Sequence, residues 1–160
     1  MFIEPPPIIE DKQLQNWLRR LWDVLSYEEG EYEPTVTGST SGSYVMSTYK
    51  TAAFTKIGRV VHVQGYLKIT SESSPVGDIH ISLPFEVANL TELSGYGAGS
   101  ALVSGHGSTL SNGFSVLPIQ GGSYLQIYRV EDDGTLDLLN KDDVDTAWDI
   151  IFSVTYLAAT

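Results

Sequence analysis

Residues 55–70 read Thr55-Lys56-Ile57-Gly58-Arg59-Val60-Val61-His62-Val63-Gln64-Gly65-Tyr66-Leu67-Lys68-Ile69-Thr70. In an extended chain Val61, Val63, Leu67 and Ile69 fall on one side, and Val60, His62, Gln64, Tyr66 and Lys68 on the other. A period of two predicts a β-strand with one face in a core. Asp78–Leu83 repeats the scheme, with Ile79, Ile81 and Leu83 opposite His80 and Ser82, and Pro84 ends it. Five more candidate strands follow the same reasoning: Tyr44–Met46, Ser100–Ser104, Phe114–Pro118, Ser123–Val130 and Trp148–Tyr156. Asp133-Gly134 and Asn112-Gly113 suit tight hairpins. Short strands separated by turns, with no helices between them, predict a mainly β fold, an antiparallel β-sandwich of the jelly-roll kind.

The amino-terminal region is built differently. Leu14, Leu18, Leu21 and Leu25 are spaced four, three and four apart, close to the 3.5-residue period of a coiled-coil seam. Trp17 and Val24 broaden the stripe, Trp22 lies beside it, and charged or amide residues fill the rest. Pro5-Pro6-Pro7 precedes it, Glu10 and Asp11 sit at the positive end of the helix dipole, and Gly30 offers a stop. The chain thus divides into a Pro-rich segment 1–9, a helix 10–30, an acidic linker 31–34 and a β domain 35–160. A helix this short is marginal alone, so its stripe needs cover from its own β domain or from copies of itself. The 3.5 period, the stiff Pro-rich lead and the acidic run Glu28, Glu29, Glu31, Glu33 favour copies, a trimerising bundle through Leu14, Trp17, Leu18, Leu21 and Leu25.

With 160 residues the chain has the size of one ordinary domain, enough to bury a core without metal or disulfide. Twenty acidic residues against nine basic give a net charge of −11, which argues against nucleic acid and anionic membranes as partners. No apolar run approaches the ~20 residues of a membrane span, and Met1–Ile9 lacks the basic start of a signal peptide. There is no cysteine, so thiolate metal sites and thiol nucleophiles are excluded.

Catalytic motifs are correspondingly sparse. His62 and His80 lie on the polar faces of their strands, where a pair could hold a cation only with a third ligand that no spacing identifies. His106 falls in the loop-like Ser104-Gly105-His106-Gly107-Ser108, and no Gly-x-Ser-x-Gly elbow accompanies the serines. Gly95-Tyr96-Gly97-Ala98-Gly99 lacks the Lys-Ser/Thr and βαβ setting of a phosphate loop. The carboxylates Glu131, Asp132, Asp133, Asp137, Asp142, Asp143, Asp145 and Asp149 do not follow an EF-hand and read as solvated hairpin turns, with weak calcium binding the competing reading. No metal, cofactor or catalytic residue is assigned. What remains is a Tyr- and Ser-rich surface suited to recognition, with Tyr96, His106 and Asn112 as candidate ligand-binding loop residues.

Glu33-Pro34-Thr35-Val36-Thr37-Gly38-Ser39-Thr40, Phe54-Thr55-Lys56-Ile57-Gly58-Arg59, Gly77-Asp78-Ile79-His80-Ile81-Ser82-Leu83-Pro84-Phe85 and Phe152-Ser153-Val154-Thr155-Tyr156 occur in that order. As an ordered set they resemble a recurrent β module of tailed-bacteriophage virion surface proteins, over about residues 33–158. The chain departs from that pattern in carrying Tyr32-Glu33 where such modules often have Trp. The resemblance implies a non-enzymatic, trimeric virion surface protein of tail-fibre, head-fibre or capsid-decoration type. Its N-terminal region, with Phe2, Ile3, Pro5, Pro6 and Pro7 as the anchor, would attach to other virion proteins, and the β domain would face a host-surface glycan. A short tail-fibre or fibre-tip protein is the first expectation and a capsid decoration protein the second. A free-standing lectin or carbohydrate-active enzyme is the reading from outside that class.

Overall fold

The computed structural model describes residues 11–24, 26–107 and 111–160. One helix, α1 (Lys12–Val24), is followed by eleven strands and two single-turn 3-10 segments. Asp11 caps α1: its carboxylate accepts from the Gln13 N–H at 2.8 Å and the Leu14 N–H at 3.4 Å, satisfying donors that a helix start leaves free.

The helix is shorter than the predicted 10–30, and the acidic stretch is not a linker. Residues Tyr27–Tyr32 form β1, which pairs antiparallel with β4 (Ala52–Ile57) from Tyr27↔Ile57 to Tyr32↔Ala52. From Glu29 to Tyr32 glutamate alternates with Gly and Tyr, a strand signal, and Gly30 is no helix stop. It faces Phe54 across the ladder, whose ring lies 3.0 Å from where a Cβ would sit. An aromatic ring laid over a cross-strand glycine restores the cover that the glycine cannot give.

The stretch 55–70 is two strands rather than one. Gly58-Arg59 forms a two-residue turn between β4 and β5 (Val60–Val76), with Gly58 at φ +57° in the first central position, the arrangement of a type II′ hairpin. The predicted face is correct: Val61, Val63, Leu67 and Ile69 are fully buried.

The remaining strands are β2 (Val36–Gly38), β3 (Ser41–Met46), β6 (Ile79–Ser82), β7 (Gly99–His106), β8 (Ser111–Pro118), β9 (Tyr124–Glu131), β10 (Leu136–Leu138) and β11 (Val144–Leu157). All belong to one antiparallel sheet in the order β1-β4-β5-β11-β7-β8-β9-β6-β2-β3, with β10 on β9. The second half of β5 also pairs with β3, so eight strands form a closed circuit and β4 and β1 extend from the first half of β5. The layers of the expected sandwich are therefore not two separately hydrogen-bonded sheets. The circuit is joined most narrowly between β2 and β3, at Thr37↔Ser43.

The alternating inward residues of every long strand meet inside this circuit. Trp148, Phe152, Leu67, Ile69, Ile79, Ile81, Leu125, Ile127 and Ile150 are among its largest buried side chains. Each removes apolar surface from water at a gain of about 1.5–3 kcal/mol. A satellite aromatic group, Tyr32, Phe54 and Phe85, packs on the core with ring centroids 5.2–6.4 Å apart in edge-to-face contacts and holds the β1–β4 ribbon down. Asn112-Gly113 is not a hairpin turn but lies within β8 beside a register shift, whereas Asp132-Asp133-Gly134 does close the β9–β10 hairpin, with Gly134 at φ +84°.

Candidate assembly and recognition surfaces

The helix presents the first surface. Leu14, Trp17 and Leu21 are 41%, 58% and 39% exposed, Leu18 is half-buried, and no strand packs along α1. The apolar stripe read from the sequence is therefore left open by the β domain among the described residues. Phe2, Ile3, Pro5, Pro6, Pro7 and Leu25 lie outside the described residues.

The three loop residues do not form one site. Gly97 packs against the Thr155 carbonyl near the end of β11, and beside it exposed Tyr96 lines a shallow 250 Å³ depression with Val60 and Leu157. His106 pairs instead with Val144, at the opposite end of β11, and its ring meets Phe114 edge-on at 5.0 Å. It belongs to β7 rather than to a loop, and Asn112 lies in β8. The glycines of residues 95–99 serve close backbone approach: Gly95 donates to Gln120 Oε1 at 2.8 Å, and at Gly97 a Cβ would stand 2.6 Å from the Thr155 oxygen.

The other histidines are also apart. His62 is exposed with Nδ1 3.0 Å from Thr155 Oγ1, whereas His80 stacks on Tyr124 with centroids 4.1 Å apart and Nε2 3.2 Å from Gln126 Nε2. Their strands β5 and β6 are not neighbours. Burial against the stack lowers the His80 pKa from its ordinary value, partly opposed by the negative charge of Asp78. Among the described residues no group of three potential ligands is gathered for a metal ion.

The acidic turns are not merely solvated. Glu131, Asp137 and Asp143 converge on the Arg129 guanidinium, with Nη2 2.8 Å from Asp137 Oδ2. Asp143 also accepts from the Asn140 N–H at 2.9 Å, closing a capping box over the 3-10 turn Lys141–Asp143. These carboxylates organise the approach to β11.

A concavity of about 590 Å³ lies on the outer face of the sheet and was not foreseen. Its floor is the backbone of Ala52, Gly65, Phe152 and Ala101, neighbours across β4, β5, β11 and β7 whose side chains point to the core. One residue to one side runs the row Glu31, Ala53, Gln64, Ser153, Ser100, and one residue to the other the row Thr51, Tyr66, Ile151, Leu102. One wall is thus hydroxyl and amide, the other largely apolar, with Leu102 71%, Ile151 52% and Tyr66 38% exposed. The signal in the sequence was apolar residues in the outward register of their strands, where alternation calls for polar ones.

The architecture is similar to part of a solved structure, that of the Dettilon tailspike protein (gp208), with a TM-score of 0.56 and 20% identity. The match covers 81% of this chain and spans 24% of the tailspike's length. At this identity the likeness is one of fold. No protein-family model matches the sequence, and no curated protein matches it.

Proposed function

We propose that the protein is a non-enzymatic surface component of a tailed-phage virion. It assembles as a trimer through α1, attaches through its N-terminal region and displays the β domain outward as a short tail-fibre or fibre-tip protein that contacts the host surface. The observation that carries this reading is the open apolar stripe of α1. A 13-residue helix exposing Leu14, Trp17 and Leu21 is not stable alone in water and requires cover. A 3.5-residue leucine period is met by copies of the same helix.

The tailspike-like fold supports placing the β domain on a phage particle, and the ordered motifs of residues 33–156 point the same way. In this reading the closed circuit is flattened into the jelly-roll-like sandwich typical of virion modules.

Light scattering of the purified chain at micromolar concentration tests the assembly: a mass of three chains is expected, and a monomer overturns the reading. Imaging of gold-labelled protein on virions tests the location. Label at the tail supports the fibre role, and label on the head would replace it with capsid decoration.

A further inference from the structure

We propose that the trough across β4, β5, β11 and β7 is a binding site for a chain of uncharged sugar rings. This deepens the host-contact reading above and rests on it. The walls are two residues apart along each strand, or about 7 Å. That spacing is too narrow for an α-helix, whose diameter with side chains is about 10–12 Å. The trough runs across the strands over a floor whose backbone groups already belong to the sheet, so an added β-strand, which needs an edge, has nothing to pair with. A narrow, unpaired polymer fits.

The chemistry of the walls selects among such polymers. The Tyr66 ring, backed by Tyr49 at 5.5 Å between centroids, continues into Ile151 and Leu102 as an apolar rail. The facing rail offers the Gln64 amide and the Ser153 and Ser100 hydroxyls, to which no described residue supplies a hydrogen bond. A pyranose ring has the matching character, with C–H groups on its faces and hydroxyls around its rim. The volume lies within the ~300–1,000 Å³ usual for ligand sites.

Glu31 is the one charged residue among those lining the trough, and the chain as a whole carries −11. No lysine or arginine is among the lining residues, and the chain's net negative charge disfavours a carboxylated or phosphorylated polymer. The site therefore takes neutral or N-acetylated hexose chains and excludes acidic ones.

The test is calorimetric titration of the full chain with maltohexaose, cellohexaose and chitohexaose, and with oligogalacturonate as the anionic comparison. Saturable binding is expected for at least one uncharged hexasaccharide and none for oligogalacturonate. Gln64→Ala and Tyr66→Ala should each weaken binding tenfold or more, and Tyr96→Ala should leave it unchanged. Both trough side chains point outward, so unchanged unfolding curves verify that the fold is kept.

Binding of none of the three uncharged hexasaccharides overturns the proposal, as does loss of binding on Tyr96→Ala alone. So does a change in oligomeric mass on Leu102→Asp, which would assign the trough to a second copy. None of these results alters the label position on virions, so failure of this site and failure of the virion role are distinguishable.

Discussion

Gly65 shows how one residue serves both faces of the sheet. On the inner side a Cβ would stand 2.9 Å from both the Ala52 Cβ and the Phe152 ring, so the ring occupies the space a side chain would need. On the outer side the same backbone is the floor of the trough. Gly65→Ala should destabilise the domain by about 1–3 kcal/mol through overpacking, read as a lower urea midpoint with unchanged slope. At Arg129 the argument is electrostatic. The guanidinium is the shared partner of Glu131, Asp137 and Asp143, and its side chain is only 15% exposed. Arg129→Met leaves three carboxylates facing one another and should cost roughly 1.5–3 kcal/mol, the range for hydrogen bonds to charged groups.

At the scale of elements, the long strands were legible because alternation is a local property. Ile79, Ile81 and Leu83 are buried as their spacing predicts, and so are Trp148, Ile150, Phe152, Val154 and Tyr156 along β11. The turn at Gly58-Arg59 escaped notice because Ile57 and Val60 continue the β-branched run through it, and nothing but the glycine marks the reversal. β1 was missed for a different reason: three glutamates in six residues look like a solvated linker. Glu28, Glu29 and Glu31 are exposed on a strand that has β4 on one side and, among the described residues, no strand on the other. Charge on an open edge discourages pairing with a second sheet. Replacing Glu28, Glu29 and Glu31 by Val should therefore produce concentration-dependent aggregation, seen as turbidity or by sedimentation. The helix carries its own prediction. Leu18→Glu with Leu21→Glu should dissociate the proposed trimer in light scattering while the β domain keeps its far-ultraviolet circular dichroism, and survival of the trimer would remove α1 as the assembling element.

At the scale of the whole molecule, three tyrosines tie the stability of the β domain to pH on the alkaline side. Burial pushes the Tyr44 hydroxyl up to about 12 from an ordinary 10.0 and raises Tyr32 and Tyr156 as well. Tyr32 and Tyr156 donate to the Ser82 and Phe85 carbonyls at 3.2 and 3.1 Å, bonds that need the neutral phenol. In the unfolded chain these groups ionise near 10, while in the fold they keep their protons. The stability they contribute is complete below that pH and is lost progressively as pH rises toward the folded values. Unfolding should thus set in above pH 10, with a late, cooperative rise in tyrosinate absorbance that coincides with loss of structure. A gradual, non-cooperative titration of all nine tyrosines would contradict it.

The closed circuit itself was beyond reach of the sequence, because nothing local says that one strand, β5, will change partners halfway and join β4 first and β3 afterwards. The trough depends on that same long-range register, whereas the loop residues drawn from composition, Tyr96 and His106, turned out to lie at opposite ends of β11.

The junction between helix and sheet has a mechanical meaning. Only Leu25 and Ser26 separate the end of α1 from Tyr27, the first residue of a strand zipped to β4 over six consecutive positions. Any tug arriving through α1 enters the β domain at that point. When it runs along the strand, every rung of the ladder shares the load at once and none is peeled off singly, so β1 is built to resist being torn from the sheet.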